Sequence, residues 1–234
     1  MLYLHCFAPA DGMISPSPFS VKSLALMELS GLAYTRVHGD PRRTPKGKLP
    51  ILVDGERVIA DSDFIQTYLA QAHGVDLDAQ LSPSERAQAL ALRMLIEEHL
   101  YWVLAYSRWV DNPTYTRGAF LAALPALIRP VVFRIVQKQV KSGLHGQGMG
   151  RHDRADIYAL GERALAALAD WLGDRPFFMG AQATNVDTTA FGMLETLLAS
   201  KLRTPLSEAA QQQPQLVAYH QRMRSLLPGL HASA

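Results

Sequence analysis

Ser17, the pair Asp61-Ser62 and the loop lysines Lys46 and Lys48 are the side chains whose type and position first suggest chemistry in this chain. Ser17 precedes Pro18, and beyond it Val21, Leu24, Ala25 and Leu29 recur at helical spacing up to Gly31, so a helix starts at the serine and is capped by the glycine. A helix start presents unpaired N–H groups and a partial positive charge, and an anion placed there is stabilised. Asp61 or Ser62 opens a second such helix, which carries Phe64, Ile65, Tyr68 and Leu69 as its apolar face. Further on, His99, Trp102, Tyr106 and Trp109 recur at i, i+3, i+7 and i+10, one face of a helix, with Glu98, Tyr101 and Arg108 on a neighbouring face. Such a stripe is either core or contact surface, or, because it mixes rings with polar tips, the wall of a pocket for an apolar molecule.

Cys6 is the only cysteine among 234 residues, so neither an intrachain disulfide, a zinc cluster nor a CxxC redox pair can be built, and no metal site is predicted. Position 6 lies in an apolar run, which disfavours a reactive thiol. The 23 basic and 21 acidic side chains are scattered rather than massed, which argues against nucleic acid as a partner. The opening MLYLHCFAPADG lacks the charged start of a signal peptide, and Arg129 and Arg134 cut the longest apolar candidate, Phe120 to Val140. A cytoplasmic protein is expected.

These residues are positioned by two kinds of sequence. Residues 2–8 and 34–38 read as strands around the first helix, and Ile51–Val53 and Val58–Ile59 as a hairpin turning at Asp54-Gly55. The order is β, α, β, loop, β, β, α up to about His73-Gly74. Beyond it every long segment reads as helix. Ser82, Pro83 and Glu85 form a capping box opening a helix to about Asp111, and prolines 125 and 130 split Thr116–Ser142 into two pieces or kink it. SGLHGQGMGRHD reads as a glycine-rich loop, and later helices fall at Asp156–Leu172, Val186–Lys201 and Gln215–Leu226. The change of composition predicts domains at 1–75 and 76–234.

An α/β thioredoxin-like unit followed by an all-α domain resembles the glutathione transferase fold, and SPFSVK, PKGKLPILVDGERVIADSDFI, EEHLYW and GMGRH resemble its Failed axon connections and metaxin-like branch. The resemblance implies a glutathione site. Ser17 falls at the family's catalytic position, where a hydroxyl faces the thiol of glutathione, with Ser15 and Ser20 as rivals and a plain helix cap as the alternative. Leu49-Pro50 falls at the family's cis-proline, whose preceding backbone meets the cysteinyl part of glutathione. Asp61-Ser62 falls at the pair that holds the γ-glutamyl group, and Lys48 or Lys46 could reach the glycine carboxylate. The second substrate, a small-molecule electrophile, then lies beside the first long helix, with His99, Trp102, Tyr106 and Arg108 as candidate pocket residues. Thr184 and Asp187 fall at a capping box opening a buried helix, so Asp187 is expected to be buried and structural.

Two functions follow from this resemblance: a transferase that uses glutathione thiolate against an apolar electrophile, and a non-catalytic docking module on the same fold. The family's usual homodimer is expected in either case. Leu121–Lys141, where Phe120, Leu127, Val131, Phe133 and Ile135 interleave with Arg129, Arg134 and Lys138, either packs in the helical domain, the preferred reading, or docks at a membrane surface.

Overall fold

The computed structural model describes residues 1–121 and 124–230. Strands β1 (Leu2–Cys6), β2 (Tyr34–His38), β3 (Ile51–Asp54) and β4 (Arg57–Ala60) form one mixed sheet in the order β2-β1-β3-β4. β1 runs parallel to β2 and antiparallel to β3, and β3 and β4 form the hairpin. The turn is Gly55-Glu56 rather than Asp54-Gly55. Asp54 stays in the strand, paired with Arg57, and its carboxylate is held at 2.8 Å by both Tyr68 and His73.

Helix α1 (Pro18–Ser30) connects β1 to β2 and is buried from Pro18 through Met27 on nearly every side. A helix without a solvent face must be packed on both flanks. One flank lies against α2 (Ser62–His73) and β1, and the other against α8 (Asn185–Leu198) of the helical part. The close approach of α1 and α8 requires Gly192, where an added Cβ would lie 2.4 Å from the Pro18 carbonyl oxygen. On α2 the buried residues are Ser62, Ile65 and Leu69, whereas Phe64 faces outward with Lys46 Nζ 4.4 Å above its ring.

From Pro83 the chain is helical: α3 (Pro83–Met94), a π-helical turn (Leu95–Leu100), α4 (Tyr101–Tyr106) and a second π-helical stretch (Ser107–Asp111) follow without a break in right-handed backbone. Then come α5 (Pro113–Phe120), α6 (Arg129–Gln147), α7 (Arg154–Leu172), α8, α9 (Pro205–Gln211) and α10 (Pro214–Leu226). The expected glycine-rich loop is mostly helix, since α6 runs on through Gly143 and Gly146. Gly143 has a packing reason: a Cβ there would meet the Trp102 ring at 3.3 Å. The short α9 was not expected, although Thr204, Pro205 and Ser207 cap it as a serine variant of the capping box. Residues 122 and 123 of the predicted docking segment lie outside the described residues. Among the described residues no helix is long and apolar enough to cross a membrane.

α8 begins at the predicted box. Asp187 is fully buried, and its carboxylate accepts from the Thr184 amide at 2.7 Å, the Thr184 hydroxyl at 2.8 Å and the Phe178 amide at 2.9 Å. Burial pushes this carboxyl up, and the three donors pull against that shift.

Candidate functional site at one end of the sheet

Strand register assembles the predicted elements. His5, next to the end of β1, faces Ile51 at the start of β3, and Ile51 faces Ala60 at the end of β4. Leu49-Pro50, Asp61-Ser62 and the chain leaving β1 toward Ser17 therefore emerge at the same end of the sheet. The Leu49-Pro50 peptide is cis, and the Pro50 carbonyl accepts from the Asp61 amide at 3.4 Å. Leu49 packs on Gly39, where an added Cβ would meet the Leu49 side chain at 2.9 Å and His5 at 3.2 Å.

Asp61 holds a φ of 97°, outside the ordinary range of a residue with a side chain, and caps α2 through Oδ1, which accepts from the Asp63 amide at 2.9 Å. Such backbone outliers concentrate where surrounding structure imposes them for a purpose. Ser62 is 4% exposed, and its hydroxyl has no hydrogen-bond partner among the described residues. Beside it, the exposed Asp63 meets the buried charges Lys22, Arg93 and Glu97 at the junction of the two parts: Lys22 Nζ lies 2.6 Å from Glu97 and 3.5 Å from Asp63, Arg93 pairs with Asp63, and the Thr189 hydroxyl reaches Glu97 at 3.0 Å. Burial lowers the Lys22 pKa, and Glu97 opposes that shift.

Ser17 is the N-cap of α1. Its Oγ accepts from the Ser20 amide at 3.3 Å, which occupies a lone pair and leaves the hydroxyl proton to donate elsewhere. Capping and donation to an anion are therefore compatible roles. Ser15 and Ser20 are fully buried, while Ser17 is half-buried. Cys6 is buried too, and its thiol is pushed up to about 12 by burial, with Arg36 acting weakly the other way, so it offers no thiolate.

The loop that carries Ser17 is fixed by α8 and its neighbours. The Ile14 amide donates to Glu195 at 3.1 Å, Arg36 donates to the Ile14 carbonyl at 2.6 Å, and Asp11 accepts from Ser200 and Lys201 at 2.7 and 2.9 Å. Glu195 is itself buried between His220 and Arg224. Burial would push its carboxyl up, but His220, the Ile14 amide and Arg224 together hold it below the ordinary glutamate value. Arg108 completes the clamp, donating to the Pro16 carbonyl at 2.6 Å and the Thr196 carbonyl at 2.8 Å, with the Phe120 ring 4.9 Å away.

This changes the reading of the aromatic helix. Arg108 is 5% exposed with its N–H groups directed at the Pro16 and Thr196 carbonyls, and the cavity it lines with Leu104, Ser107 and Thr196 holds only about 10 Å³. Tyr106 packs edge-on to Tyr158 of α7 at 6.2 Å, and Trp109 stacks on Phe133 of α6 at 5.6 Å. Trp102 touches α6 at Gly143 and Tyr101 at 5.6 Å. His99 is half-buried, without a polar partner among the described residues. Tyr101 of this helix meets the start of α1, its ring 4.9 Å from that of Phe19. Two π-helical stretches flank Tyr101–Tyr106, so helical spacing does not carry over to His99 on one side or to Arg108 and Trp109 on the other. Lys48 is exposed, and its hydrogen bonds among the described residues run through its backbone to Thr44.

Known proteins match this arrangement. Residues 18–114 match the glutathione S-transferase N-terminal domain, and residues 161–223 match the glutathione S-transferase C-terminal domain. A glutathione S-transferase of Ceriporiopsis subvermispora solved in complex with glutathione superposes with a TM-score of 0.67 at 17% identity, over 98% of this chain and 97% of its own. Failed axon connections of Drosophila melanogaster is 29% identical over 96% of this chain, which spans 57% of that protein. Isoprene-epoxide–glutathione S-transferase of Rhodococcus sp. strain AD45 is 30% identical over 96% of this chain and 98% of its own length. With that similarity running end to end, the chain belongs to the glutathione S-transferase family.

Proposed function

We propose that the chain is a glutathione transferase that directs glutathione thiolate at a small apolar electrophile. The observation that carries this reading is the strand register that gathers Leu49-cis-Pro50, Asp61-Ser62 and the Ser17 end of α1 at one end of the sheet. The first-turn amides of α2 and the unpaired Ser62 hydroxyl suit the γ-glutamyl carboxylate, and the free oxygen of Asp61 suits its ammonium. The Leu49 backbone meets the cysteinyl part, and Lys48 takes the glycine carboxylate. Ser17 donates to the sulfur. Lowering a thiol pKa by two units takes about 2.7 kcal/mol of preference for thiolate, and one charge-assisted hydrogen bond with a helix terminus supplies roughly that much.

The electrophile enters between this site and α4, where Tyr101 meets Phe19 and Trp102 packs on Tyr101. The name of the Rhodococcus relative makes a small epoxide the first electrophile to assay. We divide the chain at residues 75 and 76, place it in the cytoplasm, and assign the homodimer contact to α2 and α3, where Phe64, Leu90 and Met94 are 59, 52 and 37% exposed around the Asp63–Arg93 pair. The test is conjugation of small epoxides, together with the thiolate absorbance of bound glutathione, in the wild type and in Ser17→Ala. A bound thiol pKa about two units below that in solution, returning toward it in the variant with a loss of kcat/KM, supports the reading. Equal thiol pKa and equal rates in both proteins would overturn it. The similarity to Failed axon connections favours a second reading, a docking module without turnover, which the same assay separates.

A further inference from the structure

Between Asp111 and Asp153 the sequence holds six Lys or Arg and no Asp or Glu. α6 runs through this stretch. Its inner face is fully committed: Phe133 stacks on Trp109, Gln137 donates to the Trp109 carbonyl at 2.7 Å, Gly143 lies against Trp102, and Leu144 is buried. Its outer face presents Val131 and Ile135, 58 and 56% exposed, and the turn before it presents Leu127 and Ile128, 93 and 43% exposed. Arg134, Lys138 and Lys141 share that outer side and make no ion pair among the described residues.

We propose that this outer face docks on an anionic phospholipid surface, with Leu127, Ile128, Val131 and Ile135 entering the headgroup boundary and Arg134, Lys138 and Lys141 facing the lipid charges. A helix with one apolar stripe and a basic margin lies in the plane of a membrane interface. A second copy of the same face would bring the unpaired cations together with no counter-charge between them. A nucleic acid would satisfy the cations and leave four apolar side chains in water.

The experiment is flotation of the full chain with vesicles of phosphatidylcholine alone and with about a third phosphatidylserine, in a salt series. The expected result is partition onto the anionic vesicles only, falling as salt rises. Replacing Arg134, Lys138 and Lys141 by Gln lowers partition on the order of 100-fold, at about fivefold per cation. Lys138→Arg with Lys141→Arg retains it, and Val131→Ser with Ile135→Ser loses it while keeping the charge. Absence of wild-type binding to anionic vesicles, equal binding to neutral ones, or full binding by the folded Gln variant would overturn the proposal. So would wild-type self-association that Val131→Ser with Ile135→Ser abolishes, which gives the face to a second copy. Where a variant does not fold, the lipid and salt series on the wild type decides.

Discussion

Replacing Arg108 by Met keeps the apolar stem of the side chain and removes its donors, leaving the Pro16 and Thr196 carbonyls without the guanidinium that holds them at 2.6 and 2.8 Å. Pro16 is the residue before Ser17, and Thr196 lies in the last turn of α8, where a cation also meets the negative end of the helix. Each hydrogen bond from a charged donor contributes about 1.5–3 kcal/mol, and an abandoned buried carbonyl costs about 1–3 kcal/mol. Part of this is returned, because burial disfavours the charge and lowers the Arg108 pKa to about 10. A net loss of about 3 kcal/mol is expected in urea denaturation. Because the lost contacts fix the approach to Ser17, glutathione affinity should fall as well, with no change in preference among electrophiles. A stability loss under about 1 kcal/mol, or unchanged stability with an altered KM for the electrophile alone, would refute this reasoning and return Arg108 to a pocket wall.

Gly192→Ala places a Cβ 2.4 Å from the Pro18 carbonyl, so α1 must move away from α8; thermal melting should show a cost of about 1–3 kcal/mol and calorimetry a weaker glutathione site. Asp187→Ala strips three donors of their acceptor at the start of α8 and should cost about 3 kcal/mol or more in urea, with the activity of the remaining folded protein unchanged. Glu195 has a folded pKa below its ordinary 4.5, so the unfolded chain binds the extra proton and the stabilisation is lost as pH falls through the folded value. Asp187, pushed up, has the opposite sign. Urea midpoints below a pH of about 5 should therefore fall more steeply in the wild type than in Glu195→Gln.

Local chemistry made much of this molecule legible in its sequence. Pro18 and Gly31 bound α1, Ser82, Pro83 and Glu85 open α3, and Thr184 with Asp187 opens α8, because caps and turn residues act within a few positions of themselves. Signals that rest on distant partners were not legible. Gly143 looked like a loop glycine until the Trp102 ring supplied its reason, and Arg108 looked available because its partners, Pro16 and Thr196, lie 92 and 88 residues away. The i, i+3, i+7, i+10 stripe of His99, Trp102, Tyr106 and Trp109 assumes a constant turn, which the stretches at Leu95–Leu100 and Ser107–Asp111 do not keep. The hairpin turn shifted by one residue since Asp54 is retained in β3 by Tyr68 and His73. Motif and spacing selected Ser17, Asp61 and Ser62, while the clamp of Glu195, Arg108 and Asp11 that fixes the loop before Ser17 emerges only in three dimensions.

Calorimetric titration of glutathione into the wild type and into Ser62→Ala, with circular dichroism on both, tests the proposed site most directly. Micromolar to millimolar binding by the wild type that is lost in a folded Ser62→Ala is the predicted result. No heat from a folded wild type at several temperatures, or equal binding by the variant, would contradict it.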